Sequence, residues 1–174
     1  MKTLSTSYIE PGPRSYPLNL SALGILLTIT VVAAAVGTIA SIAAPEFYLG
    51  LNRPTWAPPS SVFAPVWTVL YVLMAIAAWT VVRIQGWKQS MSGIVLYCAQ
   101  LVANALWTWL FFRWHTGVGA FVDIMILWVL IVSTIAMFWK AHWVAGALLL
   151  PYLAWVSFAT CLTWAVWQAN QGML

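Results

Sequence analysis

Five apolar stretches, each about 20 residues or longer and set apart by short connections, constrain this chain more than any other feature. At 1.5 Å per residue such a stretch, as α-helix, spans the roughly 30 Å hydrocarbon core of a bilayer. Inside hydrocarbon every backbone N–H and C=O needs a partner within the protein, which leaves only helices or closed barrels, and the strand-like alternation of a barrel is absent. The chain is therefore expected to be all-α, an integral membrane bundle of five transmembrane helices. The spans fall near 18–44, 60–84, 91–112, 117–139 and 143–168, behind a polar tail of residues 1–17. Short connections make successive helices antiparallel neighbours and leave no room for a second domain. With 63% hydrophobic and 6% charged residues, the sequence has too little polar surface for a soluble fold.

The net charge of +4 does not mark a nucleic-acid binder, because the seven Lys and Arg residues lie singly at the edges of apolar runs. If the spans alternate, Lys2, Arg14, Arg83, Lys88 and Lys140 share one side, and Arg53 and Arg113 the other. In a bacterial inner membrane that bias places the N-terminus in the cytoplasm. Five spans do not divide into two equal inverted repeats, which argues against an ordinary secondary transporter. In the first span Ala33, Gly37 and Ser41 recur every four residues, as do Val36, Ala40 and Ala44. That spacing permits close helix approach, within the bundle or between protomers. Cys98 and Cys161 fall inside apolar runs and are expected to act as small packing residues.

Thirteen tryptophans need a physical reason. An interfacial belt accounts for Trp79, Trp87, Trp109, Trp114, Trp139, Trp143, Trp164 and Trp167, all near span ends. It does not account for Trp128 and Trp155 near mid-span, and Trp67 and Trp107 lie deeper than a belt requires. A deep indole needs a partner for its N–H, or an enclosed cavity that supplies one. Along the third span Tyr97, Gln100, Asn104 and Trp107 share one face, which must look inward because amides are costly against lipid. Phe63, Trp67, Tyr71 and Met74 share a face of the second span; Tyr152, Trp155, Ala159, Leu162 and Thr163 share one of the fifth. Converging, these faces enclose an aromatic pocket, although the same residues also fit a polar-glued core.

Asp123 is the one acidic residue inside a span, a functional position by default. Its place one and a half turns beyond "RWHTG" fits pairing with Arg113 or stabilisation of a helix N-terminus equally well. His115 and His142 fall in loops on opposite faces, so no metal site is expected. In "NRPTWAPPSSVFAPVWTVLY" the residues Pro54, Pro58 and Pro59 stiffen a loop, Ser60 or Ser61 caps the next helix, and Pro65 sits in its first turns. The outcome is a rigid lid that carries Trp56 over the mouth of the bundle, with Arg53 beside it.

The stretches "FYLGLNRPTWAPPSSVFAPVWTVLY", "AQLVANALWTWLFF", "AFVDIMILW" and "PYLAWVSFATCL" resemble, in order, the motifs of the TspO/MBR family. That family comprises bacterial tryptophan-rich sensory proteins and the mitochondrial translocator protein, or peripheral-type benzodiazepine receptor. The resemblance covers about residues 30–170. It implies a five-helix bundle, commonly a homodimer, whose cavity beneath the first long loop binds protoporphyrin IX, haem-related tetrapyrroles and benzodiazepine-site drugs. By position it implies that Trp67 and Trp155 match tryptophans tied to porphyrin binding and its light-dependent breakdown, and that Asn104 matches a polar ligand contact. Tyr48, Trp56 and Pro58 match loop and lid contacts, and Ala159 a small residue beside the drug. Thr163, Trp164 and Gln168 depart from the family's Asn, Tyr and Arg in the proposed cholesterol motif, so sterol recognition through that motif is not expected.

The function expected is therefore membrane-embedded tetrapyrrole binding, as a sensor, carrier or regulator of pigment and stress metabolism. Light-dependent porphyrin degradation and service as an interaction subunit of a larger membrane pigment–protein complex stand as alternatives. The candidate ligand contacts are Tyr48, Trp56, Pro58, Trp67, Tyr71, Gln100, Asn104, Trp107, Trp128, Trp155, Ala159, Leu162 and Thr163, with Arg53 and Asp123 as further polar contacts. No catalytic residue or obligatory cofactor is expected, porphyrin or haem being the ligand. The partners expected are lipid and a second copy of the chain, in an inner or outer bacterial membrane.

Overall fold

The computed structural model describes residues 19–174, so the polar tail expected at residues 1–17, with Lys2 and Arg14, lies outside the described residues. Helix α1 (Leu20–Ala40) starts where Asn19 Oδ1 accepts from the Ala22 N–H at 3.0 Å, a side-chain cap for an otherwise orphaned donor. It stops at Ala40 rather than near residue 44. The Ser41 N–H turns back to the Thr38 carbonyl at 3.0 Å, and Pro45 lacks the N–H needed to carry the ladder on. The chain restarts as a short helix, α2 (Ala44–Gly50), with Pro45 in its first turn, where no donor is missed.

After the loop of residues 51–59, a 3-10 turn at Ser60–Val62 leads into α3 (Phe63–Gln85). Neither serine caps the helix by its side chain, contrary to expectation. Both are consumed within the turn, where the Val62 N–H reaches the Pro59 carbonyl at 3.1 Å. A single residue, Gly86, separates α3 from α4 (Trp87–Thr108), and its φ of 79° is a left-handed conformation that suits glycine. The third span thus begins at Trp87, four residues earlier than hydropathy indicates, since Lys88, Gln89 and Ser90 belong to its first turn.

Helix α4 ends in a widened, π-helical turn at Trp109–Arg113. Helix α5 (Gly117–Ala141) follows, and the fifth span is broken into α6 (Trp143–Ala147) and α7 (Leu150–Ala169), with Pro151 at the start of the second piece. Five segments are long and apolar enough to cross a membrane: Leu20–Ala40, Ser60–Gln85, Trp87–Arg113, Gly117–Ala141 and Trp143–Ala169. Among the described residues there is no strand.

Leu26, Met74, Tyr97, Phe138 and Tyr152 are fully buried at the centre, while Val118, Val122, Ile126 and Val129 of α5 stand exposed, as suits a surface facing lipid. Cys98 is half-buried as a packing residue, but Cys161 is exposed on α7 and packs into no core. Two of the belt tryptophans also tie helices together. The Trp79 indole donates to the Asn19 carbonyl at 2.9 Å, and the Trp109 indole to the Val36 carbonyl at 3.2 Å.

Helices α5 and α7 approach closely where Gly117 meets Trp167; a Cβ on Gly117 would stand 2.2 Å from Trp167 Cδ1. Gly117→Ala is expected to destabilise the bundle by about 1–3 kcal/mol through overpacking. Gly24→Ala, where a Cβ meets nothing within 4 Å, serves as the control and is expected to keep its midpoint. Thermal unfolding of both variants in detergent checks this, and equal midpoints would show that the α5–α7 contact is not tight.

Candidate ligand cavity

The bundle encloses a cavity of about 450 Å³, within the roughly 300–1,000 Å³ usual for small-molecule sites. Three spans supply its aromatic and amide wall: Phe63, Trp67 and Tyr71 from α3, Asn104 and Trp107 from α4, and Trp155 and Ala159 from α7. These residues come from the three faces that periodicity assigns inward.

Asn104 is the polar centre of that wall and is 3% exposed. Its Oδ1 accepts from the Tyr71 hydroxyl at 2.8 Å, and its Nδ2 donates to the Tyr152 hydroxyl at 3.4 Å. One amide thereby joins α3, α4 and α7, in a place where hydrocarbon offers no competing partner. The Trp67 ring leans on Tyr71 at 5.5 Å and meets Tyr152 edge-on at 6.1 Å. Trp155 is held between Phe63 at 5.9 Å and Phe158 at 5.6 Å. Both indoles are therefore oriented by ring contacts, while their N–H groups have no partner among the described residues.

Tyr48 closes the cavity from above, and it is 4% exposed. Burial pushes its hydroxyl above the ordinary value, against the opposing pull of the neighbouring Arg53. The hydroxyl therefore stays protonated and donates to the Pro58 carbonyl at 3.1 Å. The Arg53 guanidinium lies 4.7 Å over the Tyr48 ring.

Several candidate contacts lie elsewhere. Trp56 is half exposed and packs edge-on against Phe158 at 5.8 Å, outside the cavity, and Pro58 acts through its carbonyl on Tyr48. Gln100 is fully buried one turn from Asn104, with neither amide atom hydrogen-bonded. Trp128 faces α7, where its N–H donates to Ser157 Oγ at 2.9 Å. Leu162 packs in a second cluster with Tyr48, Leu51 and Phe111, and Thr163 is buried. Asp123 is 6% exposed with Oδ2 unpartnered, and it makes no ion pair with the exposed Arg113. Periodicity identifies the inward face of a helix but not how deep along it the open space begins.

The structure also adds a wall that periodicity misses. Ala34, Gly37, Thr38 and Ser41 of the first span line the cavity, so the small-residue stripe borders open space instead of serving only for helix contact. Thr68, Thr108 and Phe112 also line it, as do Ile42, Pro45, Ser60 and Ala64 towards the loop side. Thr38, Ser41, Thr68 and Thr108 each donate to the carbonyl four residues back, at 2.8, 3.0, 2.9 and 3.1 Å. A more open groove of about 660 Å³ runs between α3 and α7; it shares Trp155 with the cavity, and its other lining side chains, among them Pro65, Val69, Pro151 and Phe158, are apolar. Apart from the shared Trp155 it offers no polar side chain to orient a ligand, so the cavity around Asn104 is the candidate site.

Comparison with known proteins agrees with this architecture. The family model described as TspO/MBR family matches residues 25–168. Over 126 residues the chain is 40% identical to a tryptophan-rich protein TspO of Chlorobaculum tepidum, covering 71% of this chain and 79% of that one. It is 31% identical over 159 residues to protein CrtK of Rhodobacter capsulatus, covering 89% and 96%. It is 34% identical over 129 residues to the Homo sapiens translocator protein, covering 73% and 76%. A five-span bundle of this construction, matched by the family model over most of its length, belongs to the TspO/MBR family.

Proposed function

We propose that this protein binds a tetrapyrrole of the protoporphyrin or haem type within the bilayer and acts as a sensor, carrier or regulator of pigment metabolism. The observation that carries this reading is the pairing of two ring-braced indoles, Trp67 and Trp155, with one buried amide, Asn104, around a single cavity. A tetrapyrrole is a broad aromatic plane with nitrogens at its centre and carboxylates at one edge. Indole faces suit the plane, an amide suits a polar atom, and the exposed Arg53 at the loop suits the carboxylates. The cavity wall is mainly aromatic, aliphatic and hydroxyl side chains with one amide, a make-up that suits a binding site. The word translocator in the name of the Homo sapiens relative agrees with carriage.

In a dark titration of purified protein with protoporphyrin IX, saturable tryptophan quenching and a shifted porphyrin absorption band are expected. Trp155→Phe is expected to weaken binding roughly fivefold, equivalent to about 1 kcal/mol of lost ring contact. Binding without saturation, or an unchanged affinity in that variant, would remove the ligand from this cavity.

Asn104 and Gln100 offer a second test, because both are buried amides on one helix but only Asn104 lines the cavity. Asn104→Leu is expected to weaken porphyrin binding and, by stranding the Tyr71 and Tyr152 hydroxyls, to cost about 1–3 kcal/mol of stability. Gln100→Leu, which removes two unpartnered atoms, is expected to leave binding unchanged and the thermal midpoint equal or higher. Equal loss of binding in both variants would count against Asn104 as the contact.

A further inference from the structure

The cavity is fastened above and unfastened at one side. Its roof is α2 with the loop of residues 51–59. Besides the Tyr48 bond to Pro58 and the Arg53 contact, that roof is held by Asn170 at the end of α7. Asn170 Nδ2 donates to the Asn52 carbonyl at 2.9 Å, and its Oδ1 accepts from the Asn52 N–H at 2.9 Å. A further bond from Nδ2 to the Val166 carbonyl at 2.7 Å fixes the amide, which is 5% exposed.

No comparable tie closes the gap between α1 and α3. These helices are joined at their far ends, where Trp79 reaches Asn19, whereas the near half of α1 is bonded to the end of α4 through Trp109 and Val36. Among the described residues no hydrogen bond crosses from residues 34–42 to residues 60–71. The facing cavity residues are small: Ala34, Gly37, Thr38 and Ser41 on one side, Ala64 and Thr68 on the other. Thr38, Ala64 and Thr68 are exposed although they line the cavity.

The gap runs well in from the loop-side ends of both helices. Thr68 lies five residues into α3 and Ala34 six residues before the end of α1, depths of about 7–9 Å along the helices. The two threonine hydroxyls on its rims donate to Ala34 and Ala64 of their own helices. No rim hydroxyl proton is left facing hydrocarbon.

We infer that molecules reach this cavity from within the bilayer, through a lateral window between α1 and α3, and not through the loop face. The occupant admitted this way is a flat, largely apolar molecule already dissolved in the membrane. This rests on the tetrapyrrole reading only for the choice of porphyrin as one of two probes.

The first probe is covalent. In a Cys98→Ala, Cys161→Ala background in lipid nanodiscs, Ala34→Cys places a thiol on the cavity wall. An N-alkyl maleimide dissolved in the bilayer is expected to label it at least about tenfold faster than a charged, water-soluble maleimide, each rate being normalised to the same reagent's at Ser61→Cys in the loop-side turn. Equal or faster labelling by the charged reagent would overturn the window.

The second probe is protoporphyrin IX. Thr38→Trp with Thr68→Trp, which narrows the window, is expected to slow its association about tenfold, while Asn170→Ala, which frees the roof, changes it less than about twofold. The reverse pattern would overturn the inference. Where the double variant has a lowered thermal midpoint, Ala64→Leu replaces it, with slower association again expected. A wild type that takes up no porphyrin would end the tetrapyrrole reading, while the maleimide rates would still decide the window.

Discussion

Hydrocarbon supplies no hydrogen-bond partner, so an amide placed among transmembrane helices dictates which faces meet. Asn104 has this role, taking a hydroxyl from α3 on its oxygen and offering a nitrogen to one on α7. Around that junction Trp67, Tyr71 and Tyr152 pack ring against ring, and the space left above them is the cavity. The polar core and the candidate cavity are thus one construction, since the group that holds three helices in register also presents polarity to the space beside them.

The indole N–H groups sort the tryptophans by role. Those of Trp79, Trp109 and Trp128 are committed to partners on other helices or their ends, and these residues act as fasteners. Those of Trp67, Trp107 and Trp155 have no partner among the described residues, and their rings stand on the cavity wall. Exposed tryptophans such as Trp114, Trp139 and Trp143 also lack an N–H partner there but stand at the surface, so burial and the missing partner together mark the cavity population.

The five spans are legible in the sequence because hydropathy over about 20 residues is a strong signal. Boundaries are less so: Pro45 restarts the first segment as a separate helix, and the conformation of Gly86 brings polar residues into α4. Within the cavity Trp67, Tyr71, Asn104, Trp107, Trp155 and Ala159 are legible because large or polar residues at helical spacing point inward. The wall from Ala34 to Ser41 is not, since a row of small residues looks the same whether a helix or a void lies against it. Gln100, Trp128, Thr163 and Asp123 share faces with true lining residues or lie on neighbouring ones, yet sit where the bundle is packed solid. Trp56 belongs to a loop, whose direction periodicity does not encode.

The π-helical turn at Trp109–Arg113 sets the angular phase of the end of α4. Asn104, Thr108 and Phe112 line the cavity at four-residue intervals, as on an ordinary helix, and past them the Trp114 N–H reaches five residues back to the Trp109 carbonyl at 2.8 Å. Trp107 and Phe111 meanwhile stack at 5.4 Å, so the widened turn serves two neighbours at once. The spare residue in this turn works as a rotational shim: taking one residue out would shorten the segment by little but turn the chain that leads into α5 at Gly117, making this the point in the bundle where length and orientation are least interchangeable.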